Sequence, residues 1–517
     1  MTHHITITLQ PEQADDESCI QQAISQQTGL SLLAIKGYRL LKRSIDARGR
    51  NIKIVLQLVV FENELPQENT TATLDLPSVH HAEPAYIIGA GPAGLFAAIR
   101  FIQLGRKPIL FERGKDVRSR RRDLAAINKE GVVNPDSNYC YGEGGAGTYS
   151  DGKLYTRSTK RGDVQQVLQW FVHFGASADI LIDAHPHIGT NKLPKIITAM
   201  REQIEACGGE VHFEKKLTDI RIESNTLKGI TLNNNETVSC QELLLATGHS
   251  ARDIFELLQR KQVLIEAKPF ALGVRIEHPQ ALIDSIQYKC SIRSEYLPPA
   301  SYSLVTQAEN RGVFSFCMCP GGIIAPAATA PNEIVVNGWS PSKRNNPFAN
   351  SGTVVAVNEN DYAQYGFTGV LAGMQYQQMV EANAFRLGGG QLVAPAQRMD
   401  DFVKGRNSST LPDCSYLPGI TAVKMQDVLP KEVSNALREA IKDFGKKMKG
   451  YFTKEALLVA TESRTSSPVR IPRDKEKLHH TQVQGLYPCA EGAGYAGGIV
   501  SAAIDGIRCA EAICNRD

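Results

Sequence analysis

The clearest hydrophobic pattern in the chain is a short apolar run that leads through a glycine-rich turn into a longer apolar stretch. Residues 85–88 form the run, residues 89–94 the turn, and an Ala-, Leu- and Phe-rich stretch continues to about Leu104. A short run bounded by turn residues predicts a buried strand, and the longer stretch predicts a helix. A second short apolar run follows at residues 108–111. This order predicts a β-α-β unit and therefore a parallel sheet.

The first 61 residues show a different pattern and are predicted to form a separate small unit. Its expected elements are a strand, a helix and two strands, at residues 5–9, 17–27, 34–45 and 52–61. Residues 46–50 predict a hairpin turn between the last two strands. This β-α-β-β order is like part of a ferredoxin-like unit. Residues 62–84 are rich in Glu, Asn, Thr and Pro, which is typical of a linker.

Residues 264–474 change character. Alternating or β-branched segments are joined there by Pro- and Gly-rich connections, which predicts a mostly antiparallel sheet with a few helices, such as residues 431–448. An α/β pattern then returns, with a strand at 485–491, a glycine-rich turn at 492–498 and an Ala-rich helix at 499–513. No further strand follows that helix, so we expect this unit to complete the sheet of the first β-α-β unit.

These patterns predict an α/β fold in which one domain is assembled from separated segments. A discontinuous Rossmann-like domain would take residues 79–263 and 475–517. A mostly antiparallel α+β substrate domain, residues 264–474, would be inserted into it. Residues 1–78 would form the small ferredoxin-like α+β domain with its linker.

Composition excludes several functional classes. A net charge of +3 over 517 residues gives no global attraction to nucleic acid or to an anionic membrane. No apolar run approaches the length that spans a bilayer, and the first residues lack the pattern of a signal peptide. Eleven cysteines without a Cys-x-x-Cys pair favour a reducing compartment and free thiols. We therefore expect a soluble cytoplasmic protein.

The first glycine turn predicts a dinucleotide site. Gly89 suits the sharp reversal, Gly91 allows the backbone to approach a pyrophosphate, and Gly94 allows the helix to pack on the strand. The free N–H groups at the helix start favour phosphate oxygens. Glu112 ends the second strand, about twenty residues further on, where a carboxylate accepts the hydroxyls of an adenosine ribose.

Other patterns imitate known sites and are rejected. Gly142, Gly144 and Gly147 match a second G-x-G-x-x-G, but no apolar strand precedes them and no helix follows. The same loop resembles a Walker A motif, except that Leu154 replaces the Ser or Thr that holds Mg²⁺. Such a loop still suits close packing against a flat ring system. The His-Pro-His segment at 185–187 lacks a third ligand, so no metal is expected.

Two basic segments leave alternatives open. Arg113 and four arginines that follow it by residue 122 are either solvated, or one of them reaches the pyrophosphate. The hairpin at residues 36–53 carries seven Lys or Arg residues and one acid. It is either a solvated face or a docking surface for RNA or an acidic partner.

The motifs taken together resemble a known family. The first glycine turn with Glu112, the Ala-Thr-Gly at 246–248 and the closing strand-turn-helix, in that order, are similar to the two-dinucleotide-fold flavoproteins of the glutathione-reductase-like superfamily. Within these, the chain resembles an FAD-dependent dehydrogenase (oxidoreductase) family with a small N-terminal domain. The motifs that carry the resemblance are Gly-Glu-Gly-Gly-Ala-Gly-Thr at 142–148, Cys-Met-Cys-Pro-Gly-Gly at 317–322, Thr-Ser-Ser-Pro-Val-Arg at 465–470 and Glu-Gly-Ala-Gly-Tyr-Ala-Gly-Gly at 491–498.

The resemblance implies a bound FAD, with the flavin carrying the redox chemistry. The implied cofactor-binding residues are Gly89, Gly91, Pro92, Ala93, Gly94, Glu112, Arg113, Gly145, Gly147, Thr148, Gly152, Lys153, Leu154, Leu217, Ala246, Thr247, Gly248, Glu491, Gly492, Gly498, Ile499 and Val500. The last helix would direct its N–H groups at the flavin pyrimidine edge. Many relatives that use NAD(P)H carry a separate nicotinamide domain with its own glycine turn, which this pattern lacks. The identity of the reductant is therefore left open, with NAD(P)H as one possibility.

Candidate catalytic residues each have a structural alternative. Cys317 and Cys319 would share one face of a strand, either as redox thiols or as small buried residues. Arg464 would bind an acidic substrate or stabilise a turn, and Lys153 would contact flavin or substrate. We predict an FAD-dependent oxidoreductase that acts on a small organic substrate. The alternative is a flavoprotein that docks to RNA or a protein partner through the basic hairpin.

Overall fold

The N-terminal unit is a three-stranded antiparallel sheet with one helix packed on it. The computed structural model describes residues 1–66, 74–156 and 161–515, so part of the predicted linker, residues 67–73, lies outside the described residues. The elements are β1 (Thr2–Leu9), α1 (Glu17–Thr28), β2 (Ile35–Asp46) and β3 (Lys53–Glu62). Strand β3 lies between β1 and β2 and is antiparallel to both. The predicted β-α-β-β order is thus the observed one.

The next segment forms most of a parallel sheet. Its strands are β4 (Pro84–Ile88), β5 (Lys107–Phe111), β6 (Glu210–His212), β7 (Leu217–Glu223), β8 (Thr226–Leu232), β9 (Glu236–Ser239) and β10 (Leu243–Leu245). Its helices are α2 (Pro92–Gln103), α3 (Val117–Glu130), α4 (Val164–His173), α5 (Leu193–Ala206) and α6 (Arg252–Arg260). Strands β7, β8 and β9 form a separate antiparallel sheet, and the other four belong to the parallel one.

A large antiparallel unit follows. Its strands are β11 (Glu266–Ala267), β12 (Phe270–Pro279), β13 (Val305–Ala308), β14 (Arg311–Cys319), β15 (Ile323–Pro326), β16 (Val336–Trp339), β17 (Phe348–Val357), β18 (Ala394–Arg398), β19 (Ile420–Ala422), β20 (Leu457–Glu462) and β21 (Val469–Arg470). Its helices are α7 (Gln280–Tyr288), α8 (Glu359–Gln364), α9 (Ala372–Leu387), α10 (Met399–Lys404), α11 (Met425–Val428) and α12 (Lys431–Lys447).

Seven strands of this unit form one sheet in the order β13-β14-β17-β12-β20-β18-β19, antiparallel except for the β18–β19 pair. Strands β11 and β21 pair with each other where the chain enters and leaves the unit. We call the part between them the inserted domain.

The last elements, β22 (Leu486–Pro488) and α13 (Ile499–Cys514), return to the first sheet. Strand β22 pairs in parallel with β10, which gives the order β22-β10-β4-β5-β6. Helix α13 packs closely against α2. Gly506 permits this approach, since a Cβ at that position would lie only 2.1 Å from the carbonyl oxygen of Ala93. The helix that follows β4 and the last helix of the chain therefore lie side by side. Over the described residues, every helix is too short or too polar to cross a bilayer.

The packing of α2 on β4 depends on Gly94. A Cβ at this position would lie 1.9 Å from the carbonyl oxygen of Gly89 and 3.3 Å from the Ile87 side chain. The first neighbour is a backbone atom of the turn and the second is a fully buried side chain of β4, so neither can move aside without cost.

We therefore expect Gly94→Ala to lower the free energy of unfolding by about 3 kcal/mol, since overpacking of a buried contact costs up to about that much. Thermal unfolding followed by circular dichroism measures the change. Gly312→Ala is the matched control, because its nearest neighbour to a Cβ is the Gln307 amide at 3.8 Å. Equal stability of the two variants would contradict the role given to Gly94.

Candidate functional site

A cavity of about 390 Å³ opens between the five-stranded sheet and the inserted domain. The chain segments that follow β4, β5, β10 and β22 line one side, because parallel strands end at the same edge of a sheet. Phe316, Cys317, Asn337 and Thr465 of the inserted domain line the other side. Ligands of open α/β sheets bind at this edge.

The turn after β4 leaves one open position in the cavity wall. Gly89 takes a φ of +102°, and a Cβ there would lie 2.4 Å from the Ala246 carbonyl oxygen. Gly91 is different, because the nearest atom to a Cβ would be the Gly145 Cα at 3.9 Å. The protein closes the space around Gly89 but leaves the space in front of Gly91 free for a ligand.

Two helices begin at this open space. Gly91 is the N-cap of α2, and Gly498 is the N-cap of α13. Gly498 has a φ of +115°, and a Cβ added to it would meet no atom within 4 Å. The first N–H groups of a helix have no partner within the helix, and its dipole is positive at that end. Both N-caps line the cavity, so this region suits an anionic ligand.

Glu112 is buried beside the first helix start. Its Oε2 accepts a hydrogen bond from the Ala90 N–H at 2.9 Å, and its Oε1 accepts from the N–H groups of Gly114 and Gly142, also at 2.9 Å. A carboxylate offers about four acceptor positions, so three backbone bonds leave capacity for a ligand hydroxyl. Glu112 lines the cavity and also joins the turn after β4 to the second glycine loop.

Arg120 fixes the second glycine loop against the first. Its side chain is fully buried and donates to the carbonyl oxygens of Asn138, Glu143 and Gly145, at 2.7, 2.9 and 2.9 Å. The expectation that this basic run is solvated or reaches a pyrophosphate is wrong for Arg120. The Arg120 guanidinium is bound to backbone carbonyl oxygens. The bond to Gly145 holds that residue in front of Gly91.

Next to Glu112, the cavity is lined by Arg113, and Lys215 and Leu217 also line it. The Arg113 guanidinium lies 4.5 Å from the centre of the Tyr141 ring and forms an ion pair with Asp253. Cation–π contact and the ion pair hold Arg113 beside Glu112, so its charge is already partly neutralised.

His249 directly follows the Ala-Thr-Gly segment and is a cavity residue that sequence analysis missed. Its Nε2 lies 3.6 Å from the Glu491 Oε2, while the Glu491 Oε1 accepts a hydrogen bond from the Gly498 N–H. Burial lowers the pKa of His249 despite the nearby glutamate. The pair places a proton-exchanging group close to the start of α13.

Lys153 joins the glycine loop to the inserted domain. Its Nζ lies 3.1 Å from Asp151 Oδ2 and donates to the sulfurs of Cys317 and Cys319, at 3.6 and 3.4 Å. Burial alone would lower the pKa of Lys153, but the charge of Asp151, with that of the Cys317 sulfur, outweighs it and raises the pKa. Lys153 therefore remains an ammonium group in the cavity wall.

Arg275 is a second buried cation behind these thiols, and nothing in the sequence pattern of β12 indicated it. It donates to Glu462 at 2.6 Å, to Asn350 at 2.8 Å and to the Cys317 carbonyl oxygen at 2.5 Å. A guanidinium with these partners fixes the backbone at the end of β14.

Arg464 lies at the cavity edge within a buried ion network. Its guanidinium bonds to Glu333 at 2.7 Å and to Glu381 at 3.0 Å, and Arg252 bonds to the same two glutamates. Burial would raise the pKa of Glu381, but the charges of Arg252 and Arg464 outweigh it and lower the pKa to about 2. The network joins α6, which precedes the inserted domain, to α9 and the loop after β20 within that domain.

One trio of potential metal ligands occurs among the described residues. The ligand atoms of Cys489, Asp505 and Cys509 lie within 4.8 Å of one another. The Arg473 guanidinium donates to both Asp505 oxygens and lies 3.4 Å from the Cys509 sulfur. A protein cation thus already pairs with two of the three groups.

Comparison with known proteins identifies the family. An "Uncharacterized protein" of Clostridium beijerinckii is 40% identical over 521 residues, which covers 97% of this chain and 97% of that protein. The chain belongs to the family of this Clostridium protein. Residues 269–465 also match the family model "FAD-dependent protein, C-terminal domain-like", and residues 1–61 match a domain of unknown function. The matched 269–465 segment lies between β11 and β21, so it is the inserted domain.

Solved flavoprotein structures are similar only at a low level. CtdE in complex with FAD is 9% identical over 84% of each chain, with a TM-score of 0.31. Glycine oxidase from Bacillus cereus is 12% identical over 84% of this chain and 96% of that chain, with a TM-score of 0.31. Flavin-dependent brominase Bmp2 is 12% identical over 84% of this chain and 82% of that chain, with a TM-score of 0.34. These values are too low to carry an argument about this chain.

The match of residues 269–465 to an FAD-dependent family model supports an FAD-dependent protein. It gives no support to NAD(P)H as the reductant or to an RNA partner. In the basic hairpin, Arg43 pairs with Asp183 at 2.8 Å and Arg48 pairs with Asp46 at 2.7 Å. Arg43 thus joins the N-terminal unit to the segment that contains the parallel sheet. The assignment to the glutathione-reductase-like superfamily stays a prediction.

The structure brings most of the predicted cofactor residues together in the cavity wall. Those that line it are Gly89, Gly91, Pro92, Ala93, Glu112, Arg113, Gly145, Gly147, Gly152, Lys153, Leu217, Ala246, Thr247, Gly248, Glu491, Gly498 and Ile499. Five others, Gly94, Thr148, Leu154, Gly492 and Val500, are not in the wall but pack behind it. Of the catalytic candidates, Cys317, Arg464 and Lys153 line the cavity, while Cys319 lies buried behind Cys317.

We expect Glu381→Gln to destabilise the protein by about 3 kcal/mol at pH 7, because it removes one of the two carboxylates that neutralise two buried arginines. The pKa of Glu381 is about 2 in the fold against 4.5 for a free glutamate. Its stabilising effect is therefore complete above pH 4.5 and is lost as the pH falls toward 2.

Urea unfolding between pH 3 and pH 8 tests this expectation. The difference between native and Glu381→Gln protein should be constant from pH 6 to 8 and shrink below pH 4.5. Glu455→Gln, at an exposed position, is the matched control. A difference that grows as the pH falls would contradict the assigned charge state.

Proposed function

We propose that the protein is an FAD-dependent oxidoreductase whose cofactor lies across the cavity between the sheet and the inserted domain. One observation carries the proposal: the open space in front of Gly91, between two helix N-termini and beside the buried Glu112 carboxylate. The match of the inserted domain to an FAD-dependent family model agrees with it.

In this proposal the pyrophosphate would lie at the start of α2. The N–H groups after Gly91 would donate to phosphate oxygens, and the absence of a side chain at Gly91 would permit their close approach. Glu112 would use its remaining acceptor capacity for the adenosine ribose, and Arg113 and Leu217 would border the adenine. Gly145, held by Arg120, would close the other side of the phosphate site.

The flavin end would lie near the inserted domain. Bound FAD would supply hydride or electron transfer to an organic substrate. The start of α13 would place N–H groups and a positive dipole end where negative charge develops on reduction. Lys153, Cys317 and Asn337 would border the substrate position, and His249 with Glu491 would hold an exchangeable proton at its Nε2 atom.

The ion network around Arg464 would keep the two walls of the cavity in a fixed position relative to each other. Arg464 uses its donors on Thr329, Glu333 and Glu381. We therefore assign Arg464 a positioning role rather than recognition of an acidic substrate group.

We expect Gly91→Val to fold and to lose FAD. The added side chain meets no protein atom closer than 3.9 Å at its Cβ but fills the space proposed for phosphate. The flavin content of the purified protein, measured by absorbance after heat denaturation, should fall at least ten-fold while thermal unfolding of the apoprotein is unchanged. Gly312→Val is the control and should keep its flavin. Full flavin occupancy in the Gly91 variant would overturn the site assignment.

We expect the native protein to be isolated yellow, with FAD released on denaturation, and its flavin absorbance to bleach on anaerobic titration with dithionite. NADH and NADPH, mixed anaerobically with separate samples, test whether either is the reductant. Rapid bleaching with one of them would identify the donor class. A colourless protein that takes up no added FAD under native conditions would refute the proposed function.

A further inference from the structure

We propose that Cys317 and Cys319 form a redox-active dithiol, with Cys317 as the nucleophile and Cys319 as the resolving thiol, that exchanges with small disulfides entering the cavity. This inference goes beyond the FAD proposal, because it concerns thiol chemistry that needs no bound cofactor. It rests on the position of the two sulfurs, the cations around them and the access to only one of them.

The end of β14 is irregular at these cysteines. Its pairing with β17 runs from Phe316 opposite Gly352 to Cys319 opposite Asn350, so β14 contains one extra residue. Cys317 takes a φ of +47°, a left-handed conformation that is uncommon for a residue with a side chain. Such a conformation persists only where the surroundings impose it, and it often marks a functional position.

The two sulfurs converge on one ammonium group. The Lys153 Nζ lies 3.6 Å from the Cys317 sulfur and 3.4 Å from the Cys319 sulfur, and the Cys319 thiol donates to the Cys317 carbonyl oxygen at 3.3 Å. An Arg275 nitrogen lies 3.8 Å from the Cys319 sulfur. Two cysteines two residues apart on a strand would have no such shared cation unless the fold brought Lys153 from the glycine loop to meet them.

The charged groups around the pair assign different protonation states to the two thiols. The hydrogen bond from Cys319 and the charges of Lys153 and Arg275 lower the pKa of Cys317, against the effects of burial and Asp151. Burial raises the pKa of Cys319. Glu462 also faces Cys317 but is paired with Arg275 at 2.6 Å. A thiolate beside a neutral thiol is the state that thiol–disulfide exchange needs.

Access separates the two thiols as well. Cys317 lines the cavity, whereas Cys319 has 0% of its surface exposed. A small disulfide in the cavity therefore meets Cys317 first. Cys319 is reached only from Cys317, which suits a resolving thiol.

The small disulfide is itself the oxidant, so the exchange needs no further oxidant. The Cys317 thiolate attacks one sulfur of the small disulfide, whose S–S bond breaks and whose other half leaves as a thiolate and takes up a proton. Cys319 then loses its proton and attacks the Cys317 sulfur of the mixed disulfide, which releases the second thiol. Two electrons pass to the small disulfide, and the protein dithiol becomes a Cys317–Cys319 disulfide.

The test uses the fully reduced full-length protein with hydroxyethyl disulfide under argon, quenched with acid and N-ethylmaleimide. The tryptic peptide 312–343 contains Cys317 and Cys319 and no other cysteine, so mass spectrometry reads the pair alone. We expect this peptide to escape alkylation and to lose two hydrogens, which reducing agent restores. The buried Cys489 and Cys509 are the internal control and should stay reduced.

Two variants separate the roles of the thiols. Cys319→Ser should trap the mixed disulfide on Cys317, and Cys317→Ser should leave Cys319 unreacted. If both thiols of the native protein stay reduced with excess disulfide, or if Cys317→Ser reacts as fast as the native protein, the inference is wrong.

Lys153→Met tests the role of the ammonium group through a pH profile. We expect alkylation of Cys317 by iodoacetamide at pH 6.5 to slow by about ten-fold, the effect of one pKa unit, and to be unchanged at pH 10. Lys192→Met, at an exposed position, is the control and should match the native profile. An unchanged profile in the Lys153 variant would overturn the role of Lys153. A colourless protein that still exchanges disulfides would refute the FAD proposal and leave this inference intact.

Discussion

The site depends on one geometric constraint: two helices must begin at the same point without filling the space between them. Helices α2 and α13 approach closely because Gly506 faces the Ala93 carbonyl oxygen. Their N-caps, Gly91 and Gly498, then both open into the cavity. Unpaired N–H groups from two helices at one place favour negative charge there, since each helix dipole is positive at its start.

Buried charge holds the remaining walls in place. Arg120 organises the glycine loop through three carbonyl oxygens, and Lys153 extends from that loop to the thiols of the inserted domain. Arg252 and Arg464 share Glu333 and Glu381 across the same boundary. Removal of one partner from such a group leaves an uncompensated buried charge, so a shift of one domain that separated these groups would be costly.

Local patterns predicted several strands and helices well. The runs at 85–88 and 108–111 are β4 and β5, and the segment predicted as a helix from residue 431 is α12, because each has the periodicity of a buried element with clear turn residues at its ends. The prediction for the basic segment was wrong for Arg120. This residue lies in α3 and is buried there. The sequence does not show which arginine will be buried, because that depends on carbonyl groups that the fold brings to it.

The sequence alone determined the order of elements, the open glycine at Gly91, the acid at Glu112 and the glycine loop, because each follows from residue type and short-range spacing. Only the tertiary structure decided which distant groups meet there. Lys153 with Cys317 and Cys319, and His249 with Glu491, come from segments separated by more than 150 residues, and their contacts depend on how sheet and inserted domain pack. Residue spacing carries no information about such distances, since they are set by the close packing of the whole fold.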